Sequence, residues 1–335
     1  MRRNWLVGLV LALFLGSAIA DTNLNGAGAT FPTPIYSKWF SEYNKLHPDI
    51  KINYQSIGSG GGIKQVQAGT VDFGASDGPM TDEQLAATPF KVVHIPTVLG
   101  ADVPTYNLPG VSKDLKFEGG VLADIFLGNI KKWNDPRLAK ANPGVKFPNS
   151  DIVVVHRSDG SGTTYIWTDF LSKVSPEWKK KVGTGTSVSW PVGIGGKGNE
   201  GVSGVVKQTE GSIGYVELIY AVQNKMDYGS VQNVAGQFIK ADLASVTAAA
   251  ASVKDMPADY RVSITNAPGK GVYPVSSFTW LLVPVKWSDA GKKKVFIDFL
   301  NWMVGPGQSM TSTLSYAPLP ASVAAKVKVT IKAIQ

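Results

Sequence analysis

Val92-Val93-His94-Ile95-Pro96-Thr97-Val98-Leu99-Gly100-Ala101-Asp102-Val103-Pro104-Thr105-Tyr106 reads as one long extended stretch, broken at Pro96, Gly100 and Pro104. A strand of that length with such breaks suits a chain passing from one lobe of a protein to another. Tyr273 to Val285 is extended in the same way. Around these two crossings, helix and strand signals alternate. Pro32 to Lys45 carries Ile35, Trp39, Phe40 and Tyr43 at helical spacing, with Pro32 suited to the first turn. Ile50 to Ile57 alternates apolar and polar residues as a strand does, Gly58 to Gly62 reads as a glycine-rich turn, and Ile63 to Ala68 resumes helical character. Val71 to Asp77 is a short buried strand ending on polar residues. Strands are expected over Asp151 to His156 and Gly211 to Leu218, and helices over Thr163 to Leu171 and Ala241 to Val253. Asp289 to Val304 is an amphipathic helix stopped by Gly305-Pro306-Gly307. The expected architecture is mixed α/β, two lobes joined by a two-strand hinge.

The whole chain agrees with two lobes. Arg2 and Arg3, the apolar run from Trp5 to Leu15, and Ala18-Ile19-Ala20 form an export signal over residues 1–20. That run is too short to span a membrane comfortably, and Asp21 follows it. Cleavage after Ala20 leaves 315 of the 335 residues, more than one core usually supports. There is no Cys, so neither a disulfide nor a lipid-modified terminal Cys is available. A periplasmic protein without a membrane anchor, monomeric, is expected. The net charge is +8, of which the signal carries +2 and the remainder +6. The basic residues are scattered and the aromatics sit at core spacing, which argues for a field that gathers small anions rather than for nucleic acid.

Three segments share one design, in which small, hydroxyl-bearing or glycine residues precede a helix. They are Ala29-Thr30-Phe31-Pro32, Gly58-Ser59-Gly60-Gly61-Gly62 and Asp159-Gly160-Ser161-Gly162-Thr163. A helix start offers unpaired N–H groups and partial positive charge to an anion, and glycine lets the backbone come close. Taken singly, each segment is equally well an ordinary helix cap. Arg157 stands two residues before Asp159, and residues two apart on a strand point to the same side. The carboxylate is thus placed to hold the guanidinium, the natural clamp for an oxyanion. Asp77 is the oddity, since a carboxylate beside such donors repels an anion unless the anion brings a proton to share.

These residues resemble a known family. The stretch Leu24 to Pro32, Tyr54 to Gly62, Val71 to Asp77 and Arg157 to Thr163 are similar to the corresponding blocks of the periplasmic phosphate-binding proteins of Pst-type ABC transporters. Asp124 to Trp133, Trp178 to Gly185, Gly195-Gly196-Lys197-Gly198-Asn199 and Gly211 to Glu217 agree as well. The resemblance implies a type II periplasmic binding-protein fold closing on one phosphate. It implies phosphate contacts from Thr30, Phe31, Ser59, Ser161, Gly162 and Thr163, with Arg157 as the cationic clamp, Asp159 orienting it, and Asp77 accepting the ligand's hydrogen. It also implies delivery to an ABC transporter's permease and ATPase subunits. Lobe 1 would comprise residues 21–99 plus 274–335, and lobe 2 residues 100–273. Ser56, Gly60, Gly78 and Pro104-Thr105-Tyr106 depart from the family's usual residues, without touching a proposed ligand side chain.

Other readings fall short. Gly193-Ile194-Gly195-Gly196-Lys197-Gly198 fits G-x-G-x-x-G, with Glu217 roughly 20 residues on. Pro191, however, sits where a buried strand should be, and the stretch after Gly198 is polar, so no dinucleotide cofactor is expected. Gly58 to Lys64 lacks Walker A spacing, and three scattered histidines without cysteine make a zinc site improbable. A hydrolase using Ser161 or Ser59 needs an oriented base, and His156, beside Arg157 on a strand, should face away from it. A sulfate or molybdate receptor should avoid a carboxylate facing its ligand, and Asp77 argues against one. No catalytic residue, metal or cofactor is expected.

Overall fold

The computed structural model describes residues 22–111 and 114–334; the export signal lies outside the described residues. In chain order the first elements are β1 (Thr22–Gly28), α1 (Thr33–Leu46), β2 (Ile50–Ser56), α2 (Ser59–Gln67), β3 (Phe73–Ser76), α3 (Asp82–Ala86) and β4 (Val92–Asn107). Next come β5 (Lys116–Phe117), α4 (Gly119–Phe126), α5 (Pro136–Ala141), β6 (Val153–Arg157), α6 (Gly162–Val174), α7 (Pro176–Lys181), β7 (Ile194–Gly196) and α8 (Gly198–Gln208). They are followed by β8 (Ser212–Glu217), α9 (Leu218–Gln223), β9 (Asp227–Tyr228), β10 (Ser230–Gln232), β11 (Phe238–Ile239) and α10 (Leu243–Ala251). The chain closes with β12 (Ser276–Pro284), α11 (Ala290–Met303) and α12 (Ala321–Ile331).

β4 is the crossing strand. Its first part, Val92 to Ala101, pairs antiparallel with β12, and its second part, Asp102 to Asn107, pairs antiparallel with β8. The main sheet therefore runs β2-β1-β3-β12-β4-β8-β6-β7, with β9 also on β4 and a small β11-β10-β5 sheet apart from it. The change of partner between Ala101 and Asp102 divides the sheet into two halves, each covered by its own helices, and the fold is the two-lobed one expected. The second connection runs alongside, where the Asp102 N–H donates to Val275 O at 2.9 Å.

The breaks in β4 have physical uses. Pro96 has no N–H to give, and the pairing shifts there: Val98 faces Thr279 and Pro96 faces Trp280, which leaves Thr97 bulged. Gly100 marks a close approach, because a Cβ at that position would sit 2.5 Å from the Phe31 ring.

Each lobe has an aromatic centre. Tyr36, Phe40, Tyr54, Phe73, Phe296 and Phe299 interlock around α1, whose buried face carries the residues read from helical spacing. Phe126, Trp167, Trp190 and Tyr215 do the same in the other lobe, with Trp167 and Tyr215 stacked at 5.1 Å. The largest departure from the sequence reading is α2, which begins at Ser59, so the glycine-rich stretch expected as a turn is its first turn. A Cβ on Gly62 would lie 2.6 Å from the Gly28 Cα, so helix and strand meet this closely because Gly62 has no side chain.

Candidate anion-binding site

The site forms where the N-termini of α1, α2, α6 and α8 meet the end of β3. A Cβ on Gly162 would lie 2.4 Å from both Ser59 Oγ and Asp77 Oδ2, so α6 of one lobe abuts α2 and β3 of the other at that glycine. Asn199, at the start of α8, donates through Nδ2 to Thr30 Oγ1 at 2.8 Å and to Thr163 Oγ1 at 3.1 Å. Thr30, Ser59, Asp77, Arg157, Ser161, Thr163 and Asn199 are each no more than 3% exposed, so the lobes are closed over them. Two further ties cross the seam: the Gly60 N–H donates to Gly160 O at 2.9 Å, and Tyr220 Oη donates to Thr30 O at 2.6 Å.

The sequence-predicted residues converge here. β6 carries Arg157 at its end, and Asp159 grips it bidentately, Nε to Oδ1 at 2.8 Å and Nη2 to Oδ2 at 2.6 Å. Nη1 donates to Thr163 Oγ1 at 3.2 Å. Burial pulls the guanidinium pKa down, but the Asp159 carboxylate outweighs it and holds Arg157 above its ordinary value. Asp159 shows the converse: burial raises it, and Arg157 brings it below the usual carboxylate range. Ser161 caps α6, its Oγ accepting from the Thr164 N–H at 3.0 Å. The capping reading was thus right for Ser161, and the hydroxyl keeps its own proton to give. Gly162 and Thr163 open α6, where first-turn N–H groups have no partner inside the helix. Phe31 directs its ring at Gly100, and its carbonyl accepts from Tyr316 Oη at 2.5 Å.

Asp77 follows directly on β3, 1% exposed. Its Oδ1 accepts from Thr279 Oγ1 at 2.7 Å and its N–H donates to Ser59 Oγ at 3.2 Å, while Oδ2 lies 3.5 Å from the same hydroxyl. Burial pushes the Asp77 carboxyl up to about 7, against the opposing pull of Thr279, Arg157 and Ser59. Thr279 faces the β4 bulge, and Thr97 Oγ1 donates to its carbonyl at 3.2 Å. A bulge that re-aims a side chain is a common device beside functional sites.

Three features escaped the sequence reading. Asn199 closes a block that resembles the family, directly after the Gly193 to Gly198 stretch weighed as a dinucleotide fingerprint, and the sequence assigned it no role. That stretch folds as β7 followed by α8, and its first turn enters the site. Thr279 gave no signal before it was seen facing Asp77. Asp102, at the hinge, is fully buried with neither carboxyl oxygen hydrogen-bonded among the described residues. Burial, then the charges of Asp77 and Glu217, raise its pKa well above the ordinary value. His156 turns away from the site, stacking on Trp190 at 4.8 Å. Among the described residues no cluster of three or more His, Cys, Asp or Glu is arranged to hold a metal.

Two lobes closing on buried donors define a solute-binding protein, and the chain belongs to the PBP superfamily, whose domain profile matches residues 16–306. Within it, the chain is a member of the family of curated phosphate-binding proteins called PstS. It is 48% identical over 310 residues to the Xylella fastidiosa protein of that name, covering 92% of this chain and 84% of that one. The Pasteurella multocida protein is 47% identical over 329 residues, 98% of this chain and 94% of its own. In fold, the chain is similar to a high-affinity periplasmic phosphate-binding protein solved with phosphate (TM-score 0.73, 22% identity, 92% of this chain and 93% of that one). A phosphate-binding protein from Stenotrophomonas maltophilia has a TM-score of 0.70 at 19% identity, over 92% and 93% of the two chains.

Proposed function

We propose that the chain captures inorganic phosphate between its lobes and hands it to the permease and ATPase subunits of an ABC importer. The observation that carries phosphate over other tetrahedral anions is Asp77, a buried carboxylate among donors. Hydrogen phosphate brings one hydrogen for it; sulfate brings none. In this reading Thr30, Ser59, Ser161 and Thr163 donate hydroxyls, and Phe31, Gly162 and Thr163 donate N–H groups. Arg157, oriented by Asp159, supplies the cation, and Asp77 accepts. The names of the PstS relatives support the ligand.

The lobes in this reading are residues 21–99 plus 274–335 and residues 100–273, a division supported by the change of β4 partner, which falls two residues further on, between Ala101 and Asp102. Tyr260 and Arg261 reach from the second segment to the first, at Trp280, Met80 and Asp82. The mature chain acts in the periplasm after loss of residues 1–20, as a monomer without an anchor; among the described residues no helix is long and apolar enough to cross a membrane. It acts by binding rather than by catalysis, the reading that the names of its PstS relatives support, and His156, the histidine nearest Ser161 in sequence, stacks on Trp190 away from the site.

Delivery is tested with the cognate permease–ATPase complex in proteoliposomes. Phosphate-loaded protein should stimulate ATP hydrolysis and ligand-free protein should not; equal stimulation by both refutes the role. Phosphatase activity that disappears in Ser161→Ala would refute the absence of catalysis.

A further inference from the structure

Thr30 and Thr163 lie on opposite lobes, and one side chain touches both hydroxyls. A threonine oxygen has two lone pairs and one proton. At Thr30 both lone pairs are engaged: Oγ1 accepts from the Asn199 N–H at 3.2 Å and from Asn199 Nδ2 at 2.8 Å. At Thr163 they are engaged as well, by Asn199 Nδ2 at 3.1 Å and Arg157 Nη1 at 3.2 Å. Every one of these neighbours is a donor. The orientation of the Asn199 amide is fixed by its other end. Oδ1 accepts from the Glu217 N–H at 2.9 Å, so the nitrogen must face the two threonines.

We infer that Asn199 is a positioning residue that forces the Thr30 and Thr163 hydroxyl protons toward the bound anion, making both side chains obligate donors. The inference rests on the proposed site, in which these two hydroxyls face phosphate. With their acceptor positions filled, neither hydroxyl has another acceptor for its proton among the described residues. The pattern also constrains the ligand. Oxygens facing Thr30 and Thr163 must be unprotonated, because a protonated one would set O–H against O–H. Asp77, an acceptor with no proton of its own when ionised, is then the natural place for a ligand hydrogen. Asn199 and Asp77 thus divide one task, Asp77 requiring a hydrogen at one corner of the tetrahedron and Asn199 excluding it from two others.

The local backbone supports so demanding a placement. Gly198 precedes Asn199 at φ +71° and gives its N–H to Asp159 Oδ1 at 3.0 Å. The carboxylate that orients Arg157 therefore also anchors the turn that presents Asn199. Asn199 is itself fully buried.

Neutron diffraction from crystals of the deuterated protein with phosphate tests this directly. The deuterons on Thr30 Oγ1 and Thr163 Oγ1 should lie on the phosphate side, with Asn199 Nδ2 deuterated toward both. A deuteron pointing from either threonine toward Asn199 overturns the inference while leaving the site intact. Phosphate bound away from both threonines instead overturns the proposed site. In solution, Asn199→Ala should weaken phosphate binding by about ten- to a hundredfold, the range for hydrogen bonds to a charged group; an unchanged affinity also overturns it. A residue that merely tied the lobes together would lower affinity too, but it would not set the deuteron positions.

Discussion

Replacing Asp77 by Asn leaves the shape of the site and removes one charge. In the native site Asp77 is buried, with Thr279 and Ser59 around it. Sulfate placed among the same donors would meet this carboxylate with no hydrogen between them. Two unit charges about 4 Å apart at an effective dielectric near 20 repel by roughly 4 kcal/mol, or about a thousandfold in affinity. Asn removes that term, and its amide can turn to donate to a sulfate oxygen. Phosphate loses less, because the Asn oxygen still accepts its hydrogen. The change from a charge-assisted to a neutral hydrogen bond costs about 1 kcal/mol, partly offset by weaker repulsion of a dianion. Asp77→Asn should therefore keep phosphate affinity within about tenfold while sulfate gains about two to three orders of magnitude. Titration calorimetry of wild type and variant with each anion, at one mildly alkaline pH, reads both quantities. Sulfate affinity unchanged, with phosphate binding lost, would refute the assignment of Asp77 as the selecting acceptor.

Other substitutions test the remaining parts. Gly162→Ala puts a methyl 2.4 Å from Ser59 Oγ and Asp77 Oδ2; overpacking by one such group costs about 1–3 kcal/mol, so phosphate affinity should fall by about five- to a hundredfold by calorimetry. Arg157→Lys loses the bidentate grip of Asp159 and the bond to Thr163; breaking a buried pair costs about 3–5 kcal/mol, and phosphate affinity should drop a hundredfold or more, about the upper value for a charged hydrogen bond. The buried acids, Asp77 and Asp102 with Glu217 beside them, predict a pH dependence. An acid whose folded pKa is raised stabilises the fold at low pH and loses that contribution as pH climbs toward the folded value. For Asp77, rising from 3.8 to about 7, the loss in the ligand-free closed form amounts to about 4 kcal/mol between those limits. Asp102, raised by burial and neighbouring charge, acts in the same direction. Thermal melts of ligand-free Asp102→Asn should exceed wild type by more in alkaline than in acid buffer; an equal offset at both would refute the burial argument.

Much of the architecture was legible because it is written locally. The α1 face repeats at helical spacing, and the breaks at Pro96, Gly100 and Pro104 marked β4 as unusual. The glycine run after Gly58 misled because glycine disfavours helix, and only packing against Gly28 explains why α2 tolerates it. Arg157, Asp159 and Ser161 could be read together because they lie within five consecutive residues. Asn199 could not, since its partners Thr30 and Thr163 lie 169 and 36 residues away. Thr279 is 202 residues from Asp77, and the bulge that aims it exists only once β4 and β12 pair. Local motifs thus suggested the proposed donors and clamp. The residues that fix their orientation came from tertiary structure.

The most direct test of the central claim is calorimetric titration of the mature chain with phosphate in a large excess of sulfate. One phosphate per chain, with an affinity that sulfate does not change, is the predicted result. A flat trace, or an affinity that declines in step with added sulfate, would contradict it.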